Sequence, residues 1–490
     1  MNRVVGLETE YGCLVTSQQE VGKSADAWAA RVKNHLFRKM EAGAIDLHYR
    51  DYEEPPGNGG FLRNGGRIYL DMGHLEYASP ECRTVRDAVA YDLAGDMLVQ
   101  AAVEELGVQE EVAFIKNNID HHTGATFGCH ENYLMRRDAQ FRPEVIGTLL
   151  SFLATRQIFT GAGRVGQASS IAFDDGPPLT DGSVTFQLSQ RADHIVNDVY
   201  QWVQFNRSII NARDEPLADY RKYRRLHLLI GDSNMSPFAC ALKLGTTALV
   251  LTLLEEGTLP PDVILRDAVL ATRQISHEGT GRGVVELEGG RTRDALDIQH
   301  EFLAFTQRQL AGRDDETDWL LESWSFTLEA LGTKPELLVG GVDWISKKTM
   351  LDQFREAEGL EWEDPWLQSL DLEYHRIDPT KGLFFALTPS KAIGEFNESI
   401  REPPAMHTPP GDTRAAGRGL AVSRFLAESA AYVLNWDGVG VENAWQLPMG
   451  DPFETYTDQV CQAFSEAAGA SRNEKPRPAQ GANRGREDSR

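Results

Sequence analysis

The chain has 490 residues with a net charge of −24, and 41% of its residues are hydrophobic and 25% charged. That balance suits a globular fold with a sizeable core, of roughly two to four domains unless one large unit absorbs most of the length. The acidity argues against a general nucleic-acid binder, which needs a basic face. The longest apolar run, Ala248 to Leu254, is far short of the roughly 20 residues of a membrane span and predicts a buried helix. Cysteines 13, 82, 129, 240 and 461 are few and include no Cys-x-x-Cys pair. They predict a reducing compartment with neither a disulfide frame nor a zinc ribbon. Met1-Asn2-Arg3-Val4-Val5 runs directly into strand-like sequence, so no signal peptide is expected.

In chain order, Val4 to Val15 reads as a strand with Glu8 and Glu10 on one face, because side chains alternate with a period of two. Ala25 to Ala42 reads as a helix with Trp28, Val32, Leu36 and Met40 on one stripe. Asp51 to Gly66, acidic and then rich in Pro and Gly, reads as a loop. Arg67 to Asp71 is a strand that aims Tyr69 and Asp71 the same way. A long helix over Thr84 to Leu106, a strand over Glu111 to Asn117 and another over 127–135 follow. Leu149 to Ile158 reads as helix, Arg225 to Ile230 as a strand bearing His227, and Pro237 to Glu256 as a mostly buried helix. Beyond about residue 290 the pattern is helical and amphipathic. Pro403, Pro404, Pro409 and Pro410 mark a linker, which divides a large unit (1–410) from a small terminal domain (411–464). The tail from Ser465 lacks large apolar residues and is expected to be disordered.

The chemistry-bearing residues recur in short clusters on these strands. Transferring a phosphoryl group to a carboxylate needs divalent metal on the phosphates and cations around the moving group. Glu8, Glu10, Glu76, His130 and His227 can supply the metal side. Arg191 and Arg213 can supply the phosphate side, since the guanidinium fork matches phosphate oxygens. Asp71 remains as a base or nucleophile. Taken singly, each residue has a plainer reading: a solvated strand face, a hydrogen-bonded core histidine, or, for Arg213-Asp214-Glu215, a surface ion-pair run. The joint pattern points to a concave metal-nucleotide site. Gly161 to Gly166 fits G-x-G-x-x-G but follows a helix-like segment, so a dinucleotide site is rejected. The P-loop pattern and the Gly-x-Ser-x-Gly elbow are both absent.

These motifs together resemble the Pup ligase and depupylase family, relatives of glutamine synthetase and γ-glutamyl-cysteine ligase. The likeness rests on Gly6 to Gly12, Leu62 to Cys82, Lys116 to Asn118, His130 to Leu134, Leu188 to Arg191, Asn211 to Pro216 and Tyr223 to Asn234. It continues through Ser276-His277, Ala295 to Gln299 and Leu370 to Leu372. It implies an α+β, glutamine synthetase-like carboxylate–amine ligase fold: a curved antiparallel sheet cradling ATP and Mg2+, with helices and a small C-terminal domain. It further implies Glu8, Glu76, His130 and His227 as magnesium ligands, with Glu10 and Tyr69 lining the cradle. Arg191 and Arg213 would meet the γ-phosphate or acyl phosphate, Trp436 would lie near the adenine, and Asp71 would be the catalytic aspartate. The implied partners are Pup or a Pup-like modifier, lysine-bearing target proteins and, indirectly, the bacterial proteasome, in the cytoplasm, with no nucleic acid and no membrane.

Within the family, the compact interval 13–66, Phe61 to Gly65, Gly128-Cys129-His130, Asp232 to Met235 and Ala295 to Gln299 look like the ligase. Arg164-Val165-Gly166 and Phe186-Gln187-Leu188 look more like the depupylase. The ligase is the favoured expectation. Its rivals are a depupylase or Pup deamidase, a small-molecule glutamate–amine ligase, and a catalytically dead binding protein. The chain departs from the family pattern at His74-Leu75-Glu76, in an apparent insertion over Gln167 to Asp181, and in its tail. Arg221, Lys222, Arg224 and Arg225 form a basic cluster expected to help dock an acidic modifier.

Overall fold

The computed structural model describes residues 3–15, 24–48, 54–121, 125–167, 184–201, 207–401, 403–428 and 432–473. Its centre is a ten-stranded sheet. In chain order the strands are β1 (Val5–Val15), β2 (Gly43–Ile45), β3 (Gly59–Leu62), β4 (Arg67–Asp71), β5 (His74–Ala78), β6 (Val112–Ile115) and β7 (Cys129–Arg136). A short ladder, β8 (Arg164–Val165) with β9 (Phe186–Gln187), lies apart, and β10 (Asn197–Tyr200), β11 (Ser208–Asn211) and β12 (Tyr223–Leu228) complete the large sheet. The order is β10-β11-β12-β7-β1-β5-β4-β3-β2, with β6 on the second half of β1. Every pairing in this sheet is antiparallel except β10 with β11, which run parallel at one edge, so the expected antiparallel cradle carries one parallel edge strand.

One sheet face is dry. Tyr11, Ile68, Leu75 and Tyr77 pack there with Trp28, Val32 and Leu36 of α1 (Ala25–Arg38) and with Leu98 and Val99 of α2 (Val85–Glu105). Ser24 caps α1 by accepting the Ala27 amide, and Thr84 caps α2 from Asp87, as hydroxyls before a helix do. Helix α1 ends at Arg38, short of the expected Ala42, because the chain turns with Glu41 at φ 49°. Helix α3 (Pro143–Thr155) and the single turn α4 (Gln157–Thr160) replace the one helix expected over Leu149 to Ile158. Helix α5 (Pro237–Glu256) matches its expected span. Ser236 caps it, Pro237 opens it and Gly257 ends it at φ 71°. It is the one helix among the described residues long and apolar enough to cross a membrane, and 94% of that window is buried inside the protein. A helix apolar on all sides and so covered is a core helix.

The rest of the large unit is helical: α6 (Ala268–Glu278), a hairpin of β13 (Val284–Glu286) and β14 (Thr292–Asp294), then α7 (Ala295–Leu310), α8 (Asp315–Thr333), α9 (Asp343–Glu358), α10 (Pro365–Tyr374) and α11 (Lys391–Ser399). Pro403–Met406 forms a single 3₁₀ turn at the expected linker. Beyond it, α12 (Ala415–Glu428), the three-stranded sheet of β15 (Tyr432–Asn435), β16 (Gly438–Val441) and β17 (Trp445–Pro448), and α13 (Thr457–Asn473) share a core that takes in Ala44 and Phe61 from the large sheet.

Two expectations are corrected here. Asp51 to Gly66 is not all loop, because β3 occupies Gly59–Leu62. Its glycines serve close strand approach: a Cβ on Gly59 would lie 2.3 Å from the Tyr69 Cβ, and one on Gly60 would lie 2.3 Å from the Ala44 carbonyl oxygen. The tail expected to be disordered from Ser465 begins as helix, since α13 continues to Asn473 through an alanine-rich stretch of high helix propensity. Residues 474–490 and most of the apparent insertion over Gln167 to Asp181 lie outside the described residues.

Candidate active site

Strand register assembles the site. His130 pairs with Glu8 and Glu8 with Ala78 in one row across the sheet. In the next row Glu10 pairs with Glu76, Glu76 with Tyr69, and Tyr69 with Gly59. Asp71 faces His74 one step further on, and His227 pairs with Asn132 on the other side. Because strand side chains alternate, all these polar groups share the face opposite the dry core.

The reverse face is fixed as firmly. Thr9 and Tyr11 donate to Asp92 and Asp96 of α2 at 2.9 and 2.7 Å, and Lys116 bridges both aspartates at 2.5 and 3.2 Å. Glu131 is held by Arg156 and by the Tyr133 hydroxyl. Lys116 of the Lys116-Asn117-Asn118 motif thus orients β1 from behind and does not enter the site.

Two groups of oxygen and nitrogen donors converge among the described residues: Glu8 with His130 and His227, and Glu10 with Asp71 and Glu76. Within each group one donor atom from every residue lies within 4.8 Å of the others. Glu76 therefore stands with Asp71 and Glu10, not with the histidines beside which the resemblance grouped it. Burial and the carboxylates of Glu10 and Glu8 push the Glu76 carboxyl well up, although the Tyr69 hydroxyl donates to it at 2.5 Å. For Glu8, burial pushes up, but the His130 hydrogen bond and the Arg225 charge act against it, and the carboxyl is held well below the usual range. Burial pushes His227 down to about 3, so its imidazole is neutral, and neither ring nitrogen has a hydrogen-bond partner among the described residues. Crowded buried carboxylates beside a neutral imidazole with open nitrogens fit a divalent cation.

The cationic side is less concentrated than expected. Arg191 is buried, donates to the Phe127 carbonyl at 2.7 Å and keeps its Nε unpaired. Burial and Arg207 pull it down to about 10. Its loop hangs on Asp232, whose carboxylate accepts from the Ala162, Gln190 and Arg191 amides and the Ser189 hydroxyl. Arg213 is exposed and pairs with Glu215 at 2.8 Å, although its charge is still felt by His227. On β12, Arg225 turns inward to 4.0 Å from Glu8 while Arg224 lies over Phe141, and Lys222, in the turn just before the strand, pairs with Asp451 at 3.7 Å. The basic cluster is therefore split between faces by the strand period and is not one patch.

Trp436 lies over Arg418, with 4.7 Å from guanidinium to ring, and lines a cleft with Gly6, Glu8, Ala78, Asn132, Leu217 and Arg225. The small Gly6 and Ala78 leave this cleft open beside Glu8.

Sequence reasoning missed four contributors. Asn132 donates to Glu8 at 3.1 Å, and His74 meets Glu10 at 3.2 Å while packing on Phe127. The charge of Arg207 is felt by both Glu10 and Arg191. At Gly128 a Cβ would lie 2.5 Å from His130 Nε2 and 2.6 Å from Glu10 Oε1. Asn132 and His74 were legible as same-face neighbours at spacing two, and Gly128 stood in the ligase-like Gly128-Cys129-His130 without a role of its own, whereas Arg207 carries no local signal.

Residues 3–440 match the Pup-ligase protein family. The chain is 38% identical to a depupylase of Acidothermus cellulolyticus, over 92% of this chain and 94% of that protein. It is 37% identical to a Pup–protein ligase of Kocuria rhizophila, over 96% of this chain and 99% of that one. Among solved structures, the ligase PafA in complex with Pup superposes with a TM-score of 0.77 at 30% identity, covering 96% of this chain and 93% of that one. PafA with ADP gives 0.72 at 31% identity, covering 90% and 93%. The register that places paired carboxylates and histidines on one face thus sits within a chain-long likeness, and the chain belongs to the Pup-ligase family.

Proposed function

We propose that the chain is an ATP- and Mg2+-dependent ligase. It joins the side-chain carboxylate of the C-terminal glutamate of Pup, or of a Pup-like modifier, to lysines of target proteins in the cytoplasm, marking them for the bacterial proteasome. The observation that supports this most is the convergence of Glu10, Asp71 and Glu76 one sheet row from Glu8, His130 and His227. In this reading Mg2+ is held by two adjoining sets of donors, Glu8 with His130 and His227, and Glu76 with Glu10, and neutralises phosphate charge when bound. Trp436 and the cleft beside Gly6 and Ala78 take the nucleotide base, Arg191 faces the transferred phosphoryl group, and Arg213 reaches it as well. Residues 1–410 carry the catalysis and 411–464 close the cleft.

The glutamate carboxylate accepts the γ-phosphoryl of ATP, releasing ADP and giving a γ-glutamyl phosphate. The lysine amine then displaces phosphate and forms the isopeptide bond. An ammonium is no nucleophile, so one proton must leave the lysine first, and in this reading Asp71, half-buried at the strand end, takes it. Tyr69 and His74, bonded to Glu76 and Glu10, orient the two carboxylates beside it.

The depupylase reading draws on the 38% identical relative. The compact interval 13–66 favours the ligase. The full chain, MgATP, a Pup ending in glutamate and lysine-bearing proteins are incubated and resolved on a denaturing gel, beside a tube holding a preformed conjugate. New higher-mass bands with ATP consumed are expected. Loss of the preformed conjugate with no new bands would move the chain to the depupylase branch.

A further inference from the structure

The turn joining β4 to β5 breaks its own local rule. Asp71 pairs with His74, so Met72 and Gly73 form a two-residue hairpin turn. Both stand at positive φ, 45° and 91°. Such turns favour Asn-Gly, because a side chain such as methionine is strained in the left-handed region. Here the strained position also carries the most exposed large apolar side chain among the described residues, Met72 at 80%. The turn backbone is seated on its neighbours: a Cβ on Gly73 would lie 2.9 Å from the Asp26 carboxyl carbon, and His74 is held by Glu10 and Phe127. Only the Met72 side chain is left pointing outward, next in sequence to Asp71 and beside a turn packed on the exposed Asp26. Where a chain violates turn chemistry without gaining packing, function is the physical explanation to test.

We propose that Met72 is the first contact of the incoming target protein and helps decide which lysines are used. This rests on the ligase reading above. A lysine carries its amine about 6 Å from its own backbone on a four-carbon stem. For that amine to reach Asp71, the target's surface must come to within about that distance of the hairpin tip, and adjacent residues stand only about 3.8 Å apart. The target therefore meets Met72. The chemistry suits the protein surface around the acceptor lysine and not the lysine itself: a flexible, polarizable thioether meets the apolar atoms of neighbouring residues, which free lysine lacks.

The test compares two acceptors, a lysine-bearing protein (casein or lysozyme) and free lysine, with MgATP and Pup ending in glutamate. Met72→Asn keeps or relieves the turn backbone, and Met72→Glu keeps the side chain's length but adds charge. Both variants are expected to lower kcat/KM for the protein acceptors, about fivefold and tenfold, mostly through KM. Transfer to free lysine should stay within about twofold of the unsubstituted chain. Equal losses with both acceptors, or no loss with either, would overturn the proposal and leave the ligase reading standing. Absence of transfer by the unsubstituted chain to any acceptor would remove the ligase reading, and this proposal with it.

Discussion

Asp71 ends β4, while Glu76 and Glu10 lie across the same face of the sheet, so one carboxylate can handle a proton while the others hold charge. Asp71→Asn is expected to keep nucleotide binding, measured by calorimetry, and to lose ligation by about 10²- to 10⁴-fold, the usual worth of a positioned base. Loss of nucleotide binding in that variant would make Asp71 a metal or structural residue. Gly128 tests the geometry from the other side. A methyl there would meet His130 Nε2 at 2.5 Å and Glu10 Oε1 at 2.6 Å, both at side-chain ends. Gly128→Ala should therefore fold, with a melting temperature close to that of the unsubstituted chain, yet lose most of its ligation rate. At this scale Glu8, Glu10, Tyr69 and Asp71 were legible because strand alternation is local. The grouping of Glu76 with Asp71, and the contribution of Arg207, were not, because they depend on which strands become neighbours.

Elements were legible where periodicity was clean. Arg67–Asp71 and Pro237–Glu256 fall on their expected spans, the first by alternation and the second by a cap, a proline and a C-terminal glycine. β3 was hidden because glycine and proline are the signals of a loop, while its glycines answer to neighbouring strands that local reading cannot see. Gly59→Ala would place a Cβ 2.3 Å from the Tyr69 Cβ and 2.5 Å from the Ile68 carbonyl oxygen. Since backbone must shift, it is expected to cost about 1–3 kcal/mol in denaturant unfolding and to depress ligation by displacing Tyr69. Unchanged stability and rate would mean that β3 and β4 can part without consequence for the site.

At the scale of the molecule, the terminal unit is tied to the large sheet through charge. Glu81, just beyond β5, accepts from Arg414 Nε at 2.7 Å and from Arg418, while Arg414 also donates to the Leu217 and Met449 carbonyls. Burial pushes the Glu81 carboxyl up, but Arg418 and Arg414 overcome it and hold it at about 2, below its ordinary 4.5. A carboxyl with a depressed folded value stabilises the fold above its unfolded value. That contribution, about 3 kcal/mol, is lost as pH falls from about 4.5 towards 2. Glu81→Gln should lower stability at neutral pH and flatten the acid limb of an unfolding-versus-pH curve. An acid limb of unchanged slope would show that Glu81 is not the group that titrates.

The sequence by itself determined the strand faces, the core helix and the family, because each rests on spacing, caps or ordered motifs within short stretches. Tertiary structure alone decided which carboxylates stand together, that Arg213 pairs outward with Glu215, that the basic cluster divides between two faces, and that the terminal unit's core includes Phe61. The physical reason is the range of the forces involved. Alternation and capping act over a few residues, whereas register, burial and charge compensation are set by partners up to hundreds of positions away.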